Sequence, residues 1–211
     1  MALKGSIIPV TAFQQNCALL WDDATMEGVV IDPGGDVPVI IDAIAKAGVT
    51  LRSILITHGH IDHAGGADEL REKTGVKVTG PHQADHVLLD KLERQSRDYN
   101  LPGTRNLVPD SWLAEGDTVR IGADDFSVLH CPGHAPGHVV FVNTALKLAI
   151  VGDVLFRGSI GRTDFPYCDH EALIDSIHNK LFPLGDEMQF ICGHGPGGSF
   201  GQERLTNPFL T

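Results

Sequence analysis

Three histidines and one aspartate fall within six consecutive residues of this 211-residue sequence, in the segment His58-Gly59-His60-Ile61-Asp62-His63. Imidazole and carboxylate groups at this density favour metal binding, because a solvated surface has no need for clustered histidines. His58 and His60 are two residues apart, so on extended backbone they point to the same side and can bind one ion together. Asp62 and His63 follow where the chain enters a predicted helix, and they can serve a second ion. Taken alone, Asp62 could instead cap that helix.

Further acidic and imidazole side chains come directly after predicted strands. The predicted strands are short aliphatic or β-branched runs at 28–31, 54–57, 76–79, 126–130, 139–142, 148–151 and 189–192. The residues just past the carboxyl ends of five of these runs are Asp32, His58, His134, Asp153 and His194. In open α/β sheets the loops at this edge build the site, so these residues predict one shared site. Two divalent ions about 3.5–4 Å apart, bridged by a carboxylate, would make that site hydrolytic.

Helical patterns alternate with strands in the first half of the chain. Residues 37–44 carry apolar side chains at i, i+3, i+4 and i+7, residues 84–92 repeat the pattern, and residues 173–181 follow it loosely. Residues 64–74 are also expected to be helical, and Asp169 could cap the last helix. In the middle of the chain strand follows strand, which indicates a mixed α/β fold. Periodicity alone does not decide between one sheet and two.

Length and composition predict one globular domain spanning residues 1–211, since 42% of the residues are apolar and 20% are charged. The formal net charge is −11 with no basic cluster, which disfavours a nucleic-acid partner. No apolar run reaches the roughly 18 residues of a membrane span, and the amino terminus does not resemble a signal peptide. We therefore expect a cytoplasmic protein without a membrane partner, and the sequence leaves its oligomeric state open. Its four cysteines are expected to be reduced: Cys17, Cys131, Cys168 and Cys192.

The segment from Thr57 to His63 resembles the signature of the metallo-β-lactamase-fold hydrolases. The later residues follow that family's order, with a histidine in a C-P-G-H loop, an aspartate after a glycine and a histidine in a G-H-G loop. The resemblance implies a four-layer αββα sandwich of two sheets flanked by helices, in a single domain with two divalent metal ions at one edge. The implied ligands are His58, His60 and His134 for the first ion, Asp62, His63 and His194 for the second, Asp153 as the bridge, and Asp32 as a residue that orients ligands.

The remaining histidines are expected to lie outside the metal site. His130 and His138 compete with His134, but only His134 lies in the C-P-G-H loop, so the other two are interpreted as structural residues or as supports behind the ligands. Four more are interpreted as solvated: His82, His86, His170 and His178. Cys131 and Cys192 lie near ligands in the sequence and are interpreted as buried apolar thiols.

Within the family, the sequence is most similar to glyoxalase II, the hydroxyacylglutathione hydrolases, and especially to their short single-domain relatives. Lactam-cleaving members commonly have a cysteine in the second metal site and lack the histidine that His63 supplies, so a true β-lactamase is not expected. The resemblance implies that a metal-bridging hydroxide attacks a thioester such as S-lactoylglutathione and releases a hydroxy acid and a free thiol. Asp62 and Asp153 are the expected catalytic carboxylates. The spacing does not select among Zn²⁺, Fe²⁺ and Mn²⁺, and we expect zinc.

Substrate contacts are expected in the loop that follows Asp153. In glyoxalase II a lysine or arginine nine residues beyond the bridging aspartate contacts the glutathione carboxylate; that position is Arg162 here, and Arg157 is the second candidate. Arg162 could instead form a surface salt bridge. The family's two tyrosines near the site match Asp164 and Pro196, and no separate carboxy-terminal helical domain is expected. A small anionic acyl-thiol other than a glutathione thioester is therefore an alternative substrate.

Other activities on the same fold stay open at this point. Persulfide dioxygenases also carry a G-R-T-D-F segment, as residues 161–165 do, and use one iron held by two histidines and a carboxylate; His58, His134 and Asp153 would serve. A lactonase is a third candidate. A metal-binding protein without catalysis is disfavoured, because open metal positions usually mean chemistry.

Overall fold

The computed structural model describes residues 2–101 and 103–211, in which two six-stranded sheets pack face to face. The first sheet contains β1 (Leu3–Val10), β2 (Gln15–Asp22), β3 (Glu27–Ile31), β4 (Thr50–Leu55), β5 (Lys77–His82) and β6 (Ser111–Leu113). The second contains β7 (Thr118–Ile121), β8 (Asp124–His130), β9 (Val139–Asn143), β10 (Leu148–Gly152), β13 (Gln189–Cys192) and β14 (Gly198–Ser199). Between β10 and β13 in sequence, β11 (Leu155–Phe156) and β12 (Ser159–Ile160) form a short hairpin.

Both sheets mix parallel and antiparallel pairs. In the first sheet β1, β2 and β3 pair antiparallel, whereas β3, β4, β5 and β6 run parallel. The second sheet has the order β14-β13-β10-β9-β8-β7, in which β10 and β13 are parallel and the other pairs antiparallel. The carboxyl ends of parallel neighbours lie at one edge, so their following loops meet there. At this edge the Asn16 N–H donates a hydrogen bond to the Gly193 carbonyl (2.7 Å) and joins the two sheets.

The α-helices of the described residues are α1 (Val37–Ala47), α2 (Ile61–Ala64), α3 (Ala67–Thr74), α4 (His86–Leu89), α5 (Leu92–Asp98), α6 (His170–Asp175) and α7 (Phe200–Thr206). Helix α1 follows the predicted pattern: it buries Val37 and Ile40 and ends at Gly48, which adopts the left-handed conformation at φ 69°. Asp169 caps α6 as predicted, because its side chain accepts a hydrogen bond from the Ala172 N–H. None of these helices is long and apolar enough to cross a membrane.

Three apolar layers hold the sheets and helices together, and they confirm the expected αββα sandwich. The layer between the two sheets contains Ile31 of the first sheet and Phe126 and Phe141 of the second. The layer outside the first sheet includes Ile40 of α1, and the layer outside the second includes Leu173 of α6. Helices therefore cover the outer face of each sheet, and the inner faces bury one another.

Several predicted helices are interrupted in the structure. The predicted helix over 64–74 is divided into α2 and α3 at two glycines, where the Gly66 N–H donates instead to the Pro33 carbonyl at 2.8 Å. The predicted helix over 84–92 is instead a 3₁₀ turn (Gln83–Asp85) followed by α4 and the first residue of α5. Helix α6 continues as a π-helical turn (Ser176–Leu181).

The strands differ from the predicted ones mainly at the sheet edges. Strand β1 has no predicted counterpart, because most side chains of this edge strand are exposed and the apolar alternation that marks a strand is absent. The other strands without a predicted counterpart are β2, β6, β7, β11, β12 and β14. Strand β4 ends at Leu55, two residues earlier than predicted, so Ile56 and Thr57 already belong to the loop. His58 and His60 therefore lie on a loop and not on the end of a strand.

We expect the Phe141→Ala variant to lose about 3–5 kcal/mol of unfolding free energy, because Phe141 is fully buried between the sheets and its truncation leaves a cavity. Urea denaturation followed by circular dichroism measures this loss. Leu205→Ala is the control, since Leu205 is 76% exposed on α7 and its truncation should change stability by less than about 0.5 kcal/mol. Equal losses in the two variants would contradict a close-packed layer between the sheets.

Candidate metal centre

The predicted ligands come from four separated stretches that meet at one edge of the sandwich. Residues 58–63 span the loop after β4 and most of α2. His134 lies in the loop between β8 and β9, Asp153 directly follows β10, and His194 follows β13. Gly133 (φ 137°) lets the His134 loop approach α6 closely, because a Cβ at this position would lie 2.4 Å from the helix backbone.

A first group is formed by three imidazole nitrogens, from His58, His60 and His134. The Nδ1 atom of His60 lies 3.0 Å from Nε2 of His58 and 3.0 Å from Nε2 of His134. All three atoms lie within 4.8 Å of one another. Imidazoles that converge in this way are the usual ligands of zinc and iron ions.

A second group is formed by one carboxylate and two imidazoles, from Asp62, His63 and His194. The Oδ2 atom of Asp62 lies 3.1 Å from Nε2 of His194 and 3.9 Å from Nε2 of His63. These atoms also lie within 4.8 Å of one another. The second group therefore differs from the first in carrying a negative charge of its own.

The carboxylate of Asp153 lies between the two groups. Its Oδ1 atom is 3.2 Å from Nε2 of His63, and its Oδ2 atom is 3.6 Å from Nε2 of His134 and 3.7 Å from Nε2 of His194. The Asp153 N–H donates a hydrogen bond to Nε2 of His138 at 3.0 Å, which holds the backbone of Asp153 in place. One carboxylate thus faces both groups, as a bridging ligand must.

Asp32 orients His63 from behind the second group. The Nδ1–H of His63 donates to Oδ2 of Asp32 at 2.9 Å, which fixes the ring so that its Nε2 atom faces Asp153. Asp32 is itself held by Thr57, whose N–H and hydroxyl donate to the two carboxylate oxygens at 2.7 and 2.6 Å. Asp32 therefore lies where the sequence analysis expects it, next to the second group.

The three histidines of the first group are oriented in the same manner. The Nδ1–H of His134 donates to the Arg162 carbonyl at 2.9 Å, and the Nδ1–H of His58 donates to the Thr57 hydroxyl at 3.1 Å. His60 turns its other nitrogen, Nε2, to the Tyr167 hydroxyl at 2.7 Å. A proton on each outward nitrogen leaves the inward nitrogen with its lone pair for an ion.

Burial and charge give the two groups different electrostatics. Burial, together with the neighbouring imidazoles, lowers the pKa of His58 well below its usual value and lowers the pKa of His60 to about 3. Burial also acts to lower the pKa of His63, but the carboxylates of Asp153 and Asp62 outweigh it and raise this pKa well above its usual value. Burial opposes ionisation of Asp153, yet His63 and His134 hold its pKa below the usual range. The first group is therefore neutral, whereas the second pairs negative carboxylates with positive charge.

Two buried polar atoms indicate that a cation fits between the groups. Within the described residues, Nε2 of His63 and Oδ1 of Asp153 lie 3.2 Å apart, and neither makes a hydrogen bond of good geometry. Such buried polar atoms are rare, because leaving them unpaired costs free energy. Imidazole nitrogens and carboxylate oxygens are a suitable donor set for divalent zinc, iron or manganese. The residues present therefore fit two such ions.

A cavity of about 690 Å³ opens onto the two groups. Five aromatic residues line it: Phe13, Tyr99, Phe156, Phe165 and Tyr167. Arg162 lines it as well, and its guanidinium lies 4.2 Å from the centre of the Phe165 ring. The cavity is large enough for a small-molecule substrate, and its walls are mainly apolar.

Some residues lie elsewhere than the sequence analysis suggests. Arg157 is exposed and is not among the residues that line the cavity, so its predicted role in substrate binding stays a prediction. The interpretation of His82 as solvated is wrong, because its ring is half-buried, stacks on His130 and accepts a hydrogen bond from the Ala84 N–H. The other three histidines interpreted as solvated are exposed as expected: His86, His170 and His178.

Sequence reasoning missed two residues next to the first group. Tyr167 contacts His60, although the family's tyrosine positions match Asp164 and Pro196. Its only sequence signal is an aromatic residue shortly after the 161–165 segment. Asp85 is also missed, because it lies inside an apolar helical pattern and its contacts are far away in sequence. The predicted buried thiols, Cys131 and Cys192, are buried and free.

Comparison with known proteins decides the family. Residues 10–194 match the family model of the metallo-beta-lactamase superfamily. The chain belongs to this superfamily. A curated relative, hydroxyacylglutathione hydrolase GloC of Haemophilus influenzae, is 46% identical to this member over 205 residues, which are 97% of this chain and 96% of that protein.

Two solved structures are also similar to this superfamily member. The BLEG-1 B3 metallo-beta-lactamase superposes with a TM-score of 0.90 at 38% identity, covering 99% of this chain and all of that one. The protein TTHA1623, solved in a di-iron-bound form, superposes with a TM-score of 0.86 at 35% identity, covering 97% of this chain and all of that one. This chain is thus a superfamily enzyme with a predicted dinuclear centre, and neither the metal nor the substrate follows from these similarities alone.

We expect Asp32→Ala to lower the affinity for Zn²⁺ about 10–100-fold, because His63 loses the partner that orients it. Competition with a chromophoric chelator measures this affinity. Asp36→Ala is the matched control: Asp36 lies in the same loop with the same left-handed backbone, but its carboxylate accepts from the Thr11 N–H at the surface. If both variants bind Zn²⁺ as the wild type does, Asp32 does not support the centre.

Proposed function

We propose that this enzyme hydrolyses a thioester, such as S-lactoylglutathione, to a hydroxy acid and a free thiol, with two divalent metal ions bound. The observation that carries this proposal is the Asp153 carboxylate, whose oxygens face both groups of ligands. A shared carboxylate between two cations is the arrangement of hydrolytic two-metal sites. The 46% identity to hydroxyacylglutathione hydrolase GloC supports a thioester as the substrate class.

When bound, a pair of divalent ions would supply an ionised water at neutral pH and polarise the substrate carbonyl. Asp32 and the Arg162 carbonyl hold protons on the outward nitrogens of His63 and His134, which keeps the inward nitrogens free. The leaving thiol has a pKa of about 8.5, so its thiolate departs without a strong general acid. Neither carboxylate of the centre needs to act as that acid, because Asp62 and Asp153 both face imidazoles.

The cavity supports a substrate with one apolar and one anionic part. Its aromatic walls suit an apolar segment, while Arg162 is a cation among its lining residues. Arg162 is paired with Asp164 through two hydrogen bonds of 2.7 Å. Both side chains are more than half exposed, and exposed pairs of this kind contribute only about 0–1 kcal/mol. A substrate carboxylate can therefore take the place of Asp164.

We expect His58→Ala and Asp153→Ala to abolish hydrolysis of S-lactoylglutathione, because each removes a member of the centre. The activity is measured under anaerobic conditions as the free thiol that the zinc-loaded protein releases from this substrate. His178→Ala is the control, since His178 is an exposed histidine on the π-helical turn. A wild type that leaves the thioester intact would contradict the proposal.

Two further substrates test the alternative activities on the same samples. Oxygen uptake with glutathione persulfide by a protein that holds one iron would assign a dioxygenase. Cleavage of a chromogenic β-lactam would assign the activity in the name of the 38%-identical structure. Elemental analysis of the purified protein identifies the metal; we propose zinc, and iron is the alternative because TTHA1623 was solved with two irons. The cytoplasmic location and the absence of nucleic-acid and membrane partners stay predictions.

We expect Arg162→Ala to raise KM for S-lactoylglutathione about tenfold, because a charge-assisted hydrogen bond to the substrate is lost. Asp164→Ala should lower this KM about two- to fivefold, because it frees Arg162 from a weak ion pair. A thioester whose thiol carries no carboxylate is the control, and its KM should change little in either variant. Equal KM values for both substrates in both variants would remove Arg162 from substrate binding.

A further inference from the structure

Asp85 is a buried acid that the proposed chemistry does not use. It lies in the 3₁₀ turn between β5 and α4, and its exposed fraction is 0%. Its carboxylate accepts hydrogen bonds from two backbone N–H groups, and no basic side chain pairs with it in the described residues. Burying an acid without a cation is costly, so a carboxylate kept at such a place calls for a specific role.

The two N–H groups belong to two different ligand loops. Oδ2 of Asp85 accepts from the N–H of Gly59, which lies between His58 and His60, at 2.7 Å. Oδ1 accepts from the N–H of Gly137, which lies in the loop of His134, at 2.5 Å. One carboxylate thus connects the two loops that supply the first group, and it connects them through backbone and not through side chains.

Both loops also press directly against the Asp85 turn. A Cβ at Gly137 would lie 2.5 Å from the Asp85 nitrogen and 2.5 Å from the His82 carbonyl oxygen. A Cβ at Gly59 would lie 2.9 Å from Leu88 Cβ and 3.2 Å from the Asp85 carbonyl oxygen. Glycine at these two positions allows the backbone of each loop to approach close enough for its N–H to reach the carboxylate.

We propose that Asp85 is a positioning residue, which fixes the separation of the His58–His60 loop and the His134 loop and thereby sets the affinity of the first group for its metal ion. The three nitrogens of this group lie within 4.8 Å of one another although they come from different sheets. A small shift of either loop would separate them. This inference concerns metal binding and holds whichever substrate the enzyme takes.

The chemistry of the contact requires a carboxylate. Two N–H donors converge on its two oxygens, and an ionised carboxylate accepts at both. An asparagine in its place would point its NH₂ group at one of the two donors and leave that N–H unpaired. Burial raises the pKa of Asp85 to about 7, while the N–H groups of Gly59 and Gly137 act against this rise, so the two amides favour the ionised form.

The first test compares Asp85→Asn with Asp22→Asn. Asp22 is the control for a buried aspartate away from the ligands, because it is 1% exposed and its Oδ1 atom accepts from the N–H groups of Ala24 and Thr25 at the far end of β2. We expect Asp85→Asn to weaken one of the two Zn²⁺ sites, the one formed by the first group, about 10–100-fold in chelator competition. Asp22→Asn should leave both affinities within twofold. The melting temperature of each metal-free variant reports folding separately.

Two results would overturn the proposal. One is an Asp85→Asn variant that melts at a lower temperature but binds Zn²⁺ as tightly as the wild type, since Asp85 would then be merely structural. The other result comes from wild-type protein labelled with ¹⁵N-glycine, which can be tested even if the variant does not fold. In this protein the amide protons of Gly59 and Gly137 should exchange slowly. Exchange as fast as that of the exposed Gly195 would show that the two hydrogen bonds do not exist.

Discussion

Two carboxylates and several imidazoles lie close together at the edge of this sandwich. A cation among them offsets the free-energy cost of burying these polar groups. Asp153 is 7% exposed and His63 is fully buried. Water therefore does not solvate Oδ1 of Asp153 or Nε2 of His63, which face each other. A proton on His63 is one such cation, which is why the neighbouring carboxylates raise the pKa of this histidine. Divalent ions carry more charge and accept several donors at once, so they relieve the same constraint more fully.

The two-sheet arrangement makes this concentration of polar groups feasible. Neighbouring parallel strands β10 and β13 end side by side, which places Asp153 next to His194. The first sheet contributes residues 58–63 from the loop after β4, and the second adds His134 from the β8–β9 loop. Because the sheets bury their inner faces on each other, these loops cannot drift apart without opening an apolar layer. Packing therefore keeps the ligands of the four stretches close together.

The sequence predicts the ligands of this site better than their supports. Residues 58–63 are recognisable because their spacing is local and needs few positions, and the glycine-rich ligand loops are recognisable for the same reason. Strand β1 is not, because an exposed edge strand lacks the alternation that marks burial. Asp85 is not either, because its partners Gly59 and Gly137 are 26 and 52 residues away. The two glycines permit these contacts, but a glycine in the sequence does not show which distant carboxylate its amide will reach.

The cavity wall offers a substrate two kinds of contact, a group of aromatic rings and one cation. In this enzyme Phe13 and Tyr99 meet edge to face at 5.6 Å, although they come from the β1–β2 turn and the end of α5. Arg162, whose charge is shared with Asp164, is the cation on this wall. The acyl-thiol proposed as the substrate, with an apolar part and a carboxylate, would satisfy both features. A neutral substrate would not displace Asp164 from Arg162, and it would contact only the aromatic rings.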